Sequence, residues 1–207
     1  MKLPRTSHTS RPLRIHGIAG DFHLEDVWDL PTPGGPDDLP RLVRLFTEGE
    51  LMDGTSGAAR LLFAIRWKLG KLFGWDEPGA GLGTRVPTLR HRLPADLRDT
   101  VPDAVLGAGG FRPLYVTHDE WAAEMANSTV HGILHLSWVP VPGGGHRGRM
   151  AVLVRPNGLF GTCYMAAIKP FRYAVVYPAL LRAIGREWKR QEQAPPGGQA
   201  ALRNVRR

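Results

Sequence analysis

The sequence predicts an α+β domain: an antiparallel sheet, two short helices ahead of most of its strands, and a long C-terminal helix across it. Two observations predict this order. Apolar residues follow helical spacing between positions 39 and 73, alternate from Pro113, and return to helical spacing after Gly158. The alternating runs are short and successive, and a glycine-rich loop too short for a crossover joins the last two.

Phe22–Leu30 reads as a first strand, ended by the turn signals of "PTPGGPDD". Asp37 or Asp38 can cap a short helix whose Leu39, Leu42, Val43 and Phe46 share one face. A second helix is predicted over Ser56 to Phe73, where Leu61, Leu62, Ile65, Leu69 and Leu72 keep the helical period. Its charges, Arg60, Arg66, Lys68 and Lys71, are all basic. Gly74 to Gly110 is rich in glycine and proline and carries no readable element.

From Pro113 the runs "PLYVTHDE", "EWAAEMAN", "TVHGILHLSWVP" and "RGRMAVLVRP" read as four strands. Residues 141–148, "VPGGGHRG", join the last two into an antiparallel pair. Leu159 to about Gln191 reads as one long helix, with Pro170 and Pro178 expected to kink it or break its start. A helix laid across a curved sheet closes one mouth of a cavity, the arrangement called a helix grip.

The 207 residues fit one large domain, and the 43% hydrophobic content supplies a substantial core. Most of the formal charge of +8 lies at the two ends. Residues 1–14 are therefore read as a disordered basic arm, 15–193 as the domain, and 194–207 as a disordered basic tail. Basic ends on a near-neutral body argue against a nucleic-acid partner, which would need a basic folded face. The single cysteine, Cys163, excludes an internal disulfide and a cysteine-cluster metal site. No early apolar run resembles a signal peptide, and none approaches a membrane span, so a cytoplasmic location is expected.

Three long blocks carry a resemblance: "RWKLGKLFGWDEP", "FRPLYVTHDEWAAEMAN", and the stretch from "NSTVHGILHLSWVP" to "LLRAIGREW". In this order, over about Asp21 to Trp188, the chain resembles the family called domain of unknown function 2867. The resemblance implies a START-like, birch-pollen-allergen-like helix-grip fold, with a ligand cavity between sheet and C-terminal helix. It implies no established activity. Relatives are sometimes attached behind a nucleotide-binding domain, whereas only the basic arm precedes the matching blocks here. "GAGLGT" at Gly79–Thr84 lacks the third glycine of a dinucleotide loop and follows a predicted helix, so no cofactor is expected.

With that fold, Trp121, Met125, Leu134, Trp138, Tyr164, Ile168 and Phe171 are the expected walls of a site for a small apolar or amphipathic molecule, such as a lipid, isoprenoid or polyketide-like compound. Lys169, Arg172 and Tyr173 are candidates to anchor an acidic headgroup at its rim. The alternative is an enzyme on the same scaffold, a cyclase, isomerase or hydrolase, with Glu124, His131 or His135 as acid/base. His131 and His135 share one strand face but stand about 13 Å apart, too far to chelate one metal, so no metal is expected. Glu124 is either a cavity carboxylate beside Ala122 and Ala126 or a solvated outer-face residue. Ser137 lies mid-strand without the turn that exposes a nucleophile, and Cys163 has no activating neighbour in sequence. A second alternative is a peripheral protein that lays the basic helix 56–73 on an anionic membrane surface.

Overall fold

The computed structural model describes residues 1–48, 82, 86–101, 110–127, 130–158, 165–166, 169–170 and 172–193. The predicted basic helix 56–73 and the tail 194–207 lie outside them, as do Tyr164, Ile168 and Phe171.

Six strands form one antiparallel sheet. They are β1 (Lys2–Leu3), β2 (His23–Gly34), β3 (Arg112–Val116), β4 (Glu120–Ala126), β5 (Val130–Pro140) and β6 (His146–Pro156). Their spatial order is β1-β2-β6-β5-β4-β3. The four alternating runs are thus a meander, and the early strand β2 returns to lie against its last member. In the β5–β6 turn, Gly143, Gly144 and Gly145 all have positive φ, which a side chain would strain.

β2 runs four residues beyond the Leu30 end that the turn signals predict. Those signals include Pro31 and Pro33, which lack the N–H of a ladder. They are tolerated because a register irregularity falls between Asp29 and Pro33, and β1 covers this strand only from Lys2 to Leu3.

Helix α3 (Leu39–Thr47) follows β2, after the short α1 (Thr6–Thr9) and α2 (Ile15–Ile18). Its Leu39, Leu42 and Phe46 are buried as the helical spacing predicts, while Leu45 is buried as well and Val43 is only half-buried. The long C-terminal helix is α4 (Tyr177–Gln193), entered through a π-helical turn at Arg172–Val176. Pro178 has no N–H for the carbonyl four residues earlier, so a change of winding just before it is the expected response.

α3 and α4 cover one face of the sheet. There Trp28, Leu30, Trp121, Leu136, Trp138 and Met150 pack with Leu42, Tyr177, Ile184 and Trp188. Trp188 is fully buried. Its ring centroid lies 5.8 Å from that of Trp138, and its indole N–H donates to the Pro33 carbonyl at 3.0 Å. The architecture is therefore an α+β fold with a helix across the sheet.

The other face is covered as well, which the sequence does not foretell. Leu13, Ile15, Ile18 and Phe22, with Leu89 and Leu97 from two 3₁₀ turns (Leu89–Arg92 and Ala95–Leu97) and Leu93 between them, pack on Val27, Leu114, Ala122, Ile133, Ala151 and Leu153. Residues 1–14, expected as a disordered arm, are accordingly part of the fold. The Met1 nitrogen donates to the Asp29 carbonyl and the Asp29 N–H donates back to Met1, both at 2.8 Å. Each apolar side chain buried in this way contributes about 1.5–3 kcal/mol, which offsets the ordering cost that composition alone suggests.

Candidate functional site

Glu124, His131 and His135 all lie on the face under the N-terminal segment, opposite α4. β4 and β5 place Ala122 against His135 and Ala126 against His131, so each imidazole reaches diagonally to the carboxylate two residues away. His131 Nε2 lies 2.8 Å from Glu124 Oε2, and His135 Nε2 lies 3.0 Å from Glu120 Oε2. The two carboxylates and the two histidines are each four residues apart, so the same diagonal pair occurs twice.

Both pairs are sealed and their carboxylates carry further bonds, while His131 Nδ1 is buried without a hydrogen-bond partner. Glu124 has no exposure; it accepts the Leu89 N–H at 3.0 Å and the Thr88 hydroxyl, and so fixes the start of the first 3₁₀ turn. Glu120 accepts the Arg14 N–H at 2.9 Å and the Tyr115 hydroxyl at 2.9 Å. Burial pushes the Glu120 pKa up, but the bonds from His135, Arg14 and Tyr115 outweigh it and hold the group below the usual carboxylate range. Glu124 is thus neither solvated on an outer face nor open to a cavity. Their bonds tie the two strands to each other and to the segments packed over them.

The imidazole chain continues outward. His8 Nε2 lies 3.1 Å from His135 Nδ1, and His16 Nε2 lies 3.1 Å from His8 Nδ1. Burial, then the neighbouring His135 and His16, hold the His8 pKa down at about 3.

The expected walls fare differently. Trp121 and Trp138 lie on the α4 face but are packed into its core, each 2% exposed. Met125 and Leu134 are half-buried on that face. The four described wall residues and the three acid/base candidates lie on opposite faces of the sheet and so do not form one site. The expected rim anchors are also committed internally. Arg172 donates to the buried Asp26 at 2.8 Å, Tyr173 donates to the same carboxylate, and Lys169 lies 3.9 Å from Glu25. Tyr177 adds a third donor to Asp26 at 2.8 Å.

A groove of about 660 Å³ opens along α4 where the helix meets β2 and β6. Leu30, Pro31, Leu181 and Gly185 give it an apolar lining; Arg147, Arg182, Arg186 and Lys189 give it a cationic one. Arg182, Arg186 and Lys189 are spaced four and three residues apart and so share one face of the helix. The acid lining the groove, Asp29, is occupied by Arg147 at 2.9 Å and Arg149 at 3.4 Å. Gly185 permits this shape, because a Cβ there would meet the Pro31 ring at 3.1 Å.

The family model described as "Protein of unknown function (DUF2867)" matches residues 18–179. The chain belongs to this family. No curated protein and no solved structure matches it. Within the DUF2867 span lie Glu120, Glu124, His131 and His135. His8, His16, Arg182, Arg186 and Lys189 fall outside that span, although the structure joins them to it.

Sequence reasoning missed Glu120, His8, His16, Asp26 and the groove. The repeated spacing of four on two adjacent strands was a usable signal for Glu120. His8 and His16 gave none, because the sheet partner of His8 is 127 residues away and the His16 ring bonds to His8. Among the described residues, no group of three or more His, Cys, Asp or Glu is placed to hold a metal, and no helix is long and apolar enough to cross a membrane.

Proposed function

We propose that this domain is a binding module for an amphipathic anion, a molecule with an apolar chain and an acidic head, held in the groove along α4. One observation carries the reading: an apolar-lined groove of about 660 Å³ flanked by Arg182, Arg186 and Lys189. Among the described residues, no carboxylate lies within ion-pair distance of these three cations. The volume is within the range of about 300–1,000 Å³ typical of small-molecule sites. A helix laid across a sheet is also the layout in which helix-grip proteins hold ligands, which supports the reading by analogy.

The enzyme alternative has less support. Its candidates Glu124, His131 and His135 are buried and bonded within the fold, and an acid/base group has to meet the substrate.

Decanesulfonate, which stays ionised across the working pH range, is a suitable probe by isothermal titration calorimetry, with decanol as the uncharged control. Decanesulfonate is expected to bind about tenfold or more tightly than decanol, the equivalent of about 1.4 kcal/mol from the head-group contacts. Equal affinities, or no binding of either, would overturn the proposal.

A further inference from the structure

His8 occupies an unusual position. It lies in α1, outside the sheet, yet is 3% exposed, with both ring nitrogens bonded to other imidazoles. The rings meet edge to face, with centroids 5.1 Å apart for His8 and His135 and 4.9 Å for His8 and His16.

The hydrogens of this chain follow from its inner end. An ionised Glu120 only accepts, so His135 donates from Nε2, and in the neutral ring its Nδ1 accepts. His8 therefore donates from Nε2, its Nδ1 accepts, and His16 donates from Nε2 in turn. All three imidazoles are neutral in this arrangement, each donating towards Glu120. A first added proton is tolerated at the outer end, because His16 then uses its free Nδ1 and still donates from Nε2. A second added proton sets two N–H groups head to head at one face of His8 and breaks a contact.

The surroundings compensate that charge only in part: Glu120 favours it, but burial and the neighbouring imidazoles outweigh the carboxylate. Facing the chain are the His135 imidazole and Glu120 carboxylate of the sheet, the Tyr115 hydroxyl of β3, His16 of α2, and the cations Arg14 and Arg149. Arg149 reaches the Ser7 carbonyl at 3.3 Å, and Asp119 stands farther out near Tyr115. Glu120 is already shared by three donors.

We propose that the His16–His8–His135 chain is an acid-released latch that holds the N-terminal segment, residues 1–19, against the sheet. Undocking frees His8 to take up a proton, so acid favours the undocked form. The latch also governs the groove, since Met1 lines it and is held there by its paired bonds to Asp29. That second step rests on the binding reading above; the latch itself does not.

Hydrogen exchange of the full chain without ligand tests the latch. Between about pH 7.5 and pH 5, protection of residues 6–19, corrected for intrinsic exchange, is expected to fall about 30-fold if His8 alone titrates near its ordinary value when undocked. Peptides from β5 and β6 are expected to stay more protected than residues 6–19 at each pH, because they exchange only through the larger opening. In His8→Gln, which can bond but not titrate here, the fall is expected to shrink to less than about threefold. Protection independent of pH, an equal fall in His8→Gln, or residues 6–19 no less protected than β5 and β6 at every pH would overturn the latch. If His8→Gln fails to fold, the wild-type imidazole signals decide by NMR. His8 titrating in step with the loss of protection supports the latch, and His8 titrating while residues 6–19 stay protected overturns it. Decanesulfonate affinity separates the two claims, because an opened latch with unchanged affinity would overturn only its control of the groove.

Discussion

His131 Nε2 lies 2.8 Å from Glu124 Oε2, with neither side chain exposed to solvent. The bond ties two adjacent strands together, and the same carboxylate ties them to the turn at Thr88–Leu89. Removing the carboxylate leaves an imidazole, a backbone N–H and a hydroxyl without their partner in a dry interior. Glu124→Ala is therefore expected to lose about 3–5 kcal/mol of stability, the usual cost of breaking a buried pair from one side. Chemical denaturation checks this. Decanesulfonate affinity should be unchanged in protein that remains folded, because the groove is on the other face.

His8 imposes a pH dependence on global stability. Its pKa is about 3 in the folded protein, through burial first and the adjacent imidazoles next, against about 6.5 unfolded. Below about pH 6.5 the unfolded chain binds a proton that the folded one does not, so stability is fully present above that pH and lost as pH falls towards about 3. The slope from this one group approaches about 1.4 kcal/mol per pH unit. Glu120, held below its ordinary range, adds a loss of the same sign at more acid pH. Urea midpoints measured from about pH 7.5 to pH 5 should fall in wild type and flatten in His8→Gln.

Removing residues 1–14 distinguishes an arm from a folded segment. The structure buries His8 and Leu13 there and bonds the Arg14 N–H to Glu120. The truncated protein is expected to melt more than about 4 °C lower, equivalent to roughly 1–2 kcal/mol in a domain of this size. An unchanged midpoint would restore the reading of a dispensable tail.

Gly148 records how closely α3 approaches the sheet. A Cβ at this position would lie 2.6 Å from Leu42 Cδ2 and 2.8 Å from Thr32 Oγ1. Its N–H donates to that same Thr32 oxygen at 3.2 Å. Gly148→Ala should destabilise by about 1–3 kcal/mol, the range for overpacking a tight core, as measured by thermal or chemical unfolding.

The parts of the fold that were legible in the sequence are those written in local pattern. Alternation placed β4, β5 and β6 within a few residues, and the Leu39/Leu42/Phe46 stripe placed α3. The site was less legible because burial on a strand depends on what covers each face. Alternation assigned the apolar Leu134, Leu136 and Trp138 to a core, and left His131 and His135 for the polar side. The N-terminal segment, folding back across more than 100 residues, and residues 88–97 together make that second face an interior. The composition of residues 1–14 pointed the other way, since their charge gives no sign that Glu120 awaits a backbone N–H. The groove depends on Pro31 meeting Gly185, a contact between distant elements with no signature of its own.

The most direct test of the binding reading is where the ligand sits. Backbone NMR of the full chain, titrated with decanesulfonate, should show perturbations at Leu181, Arg182, Gly185, Arg186 and Lys189 and across the groove at Leu30 and Arg147. Arg186→Glu combined with Lys189→Glu should weaken binding about tenfold or more while leaving the rest of the spectrum in place. Perturbations centred instead on Met125 and Leu134, or an affinity indifferent to the two charge reversals, would contradict the account.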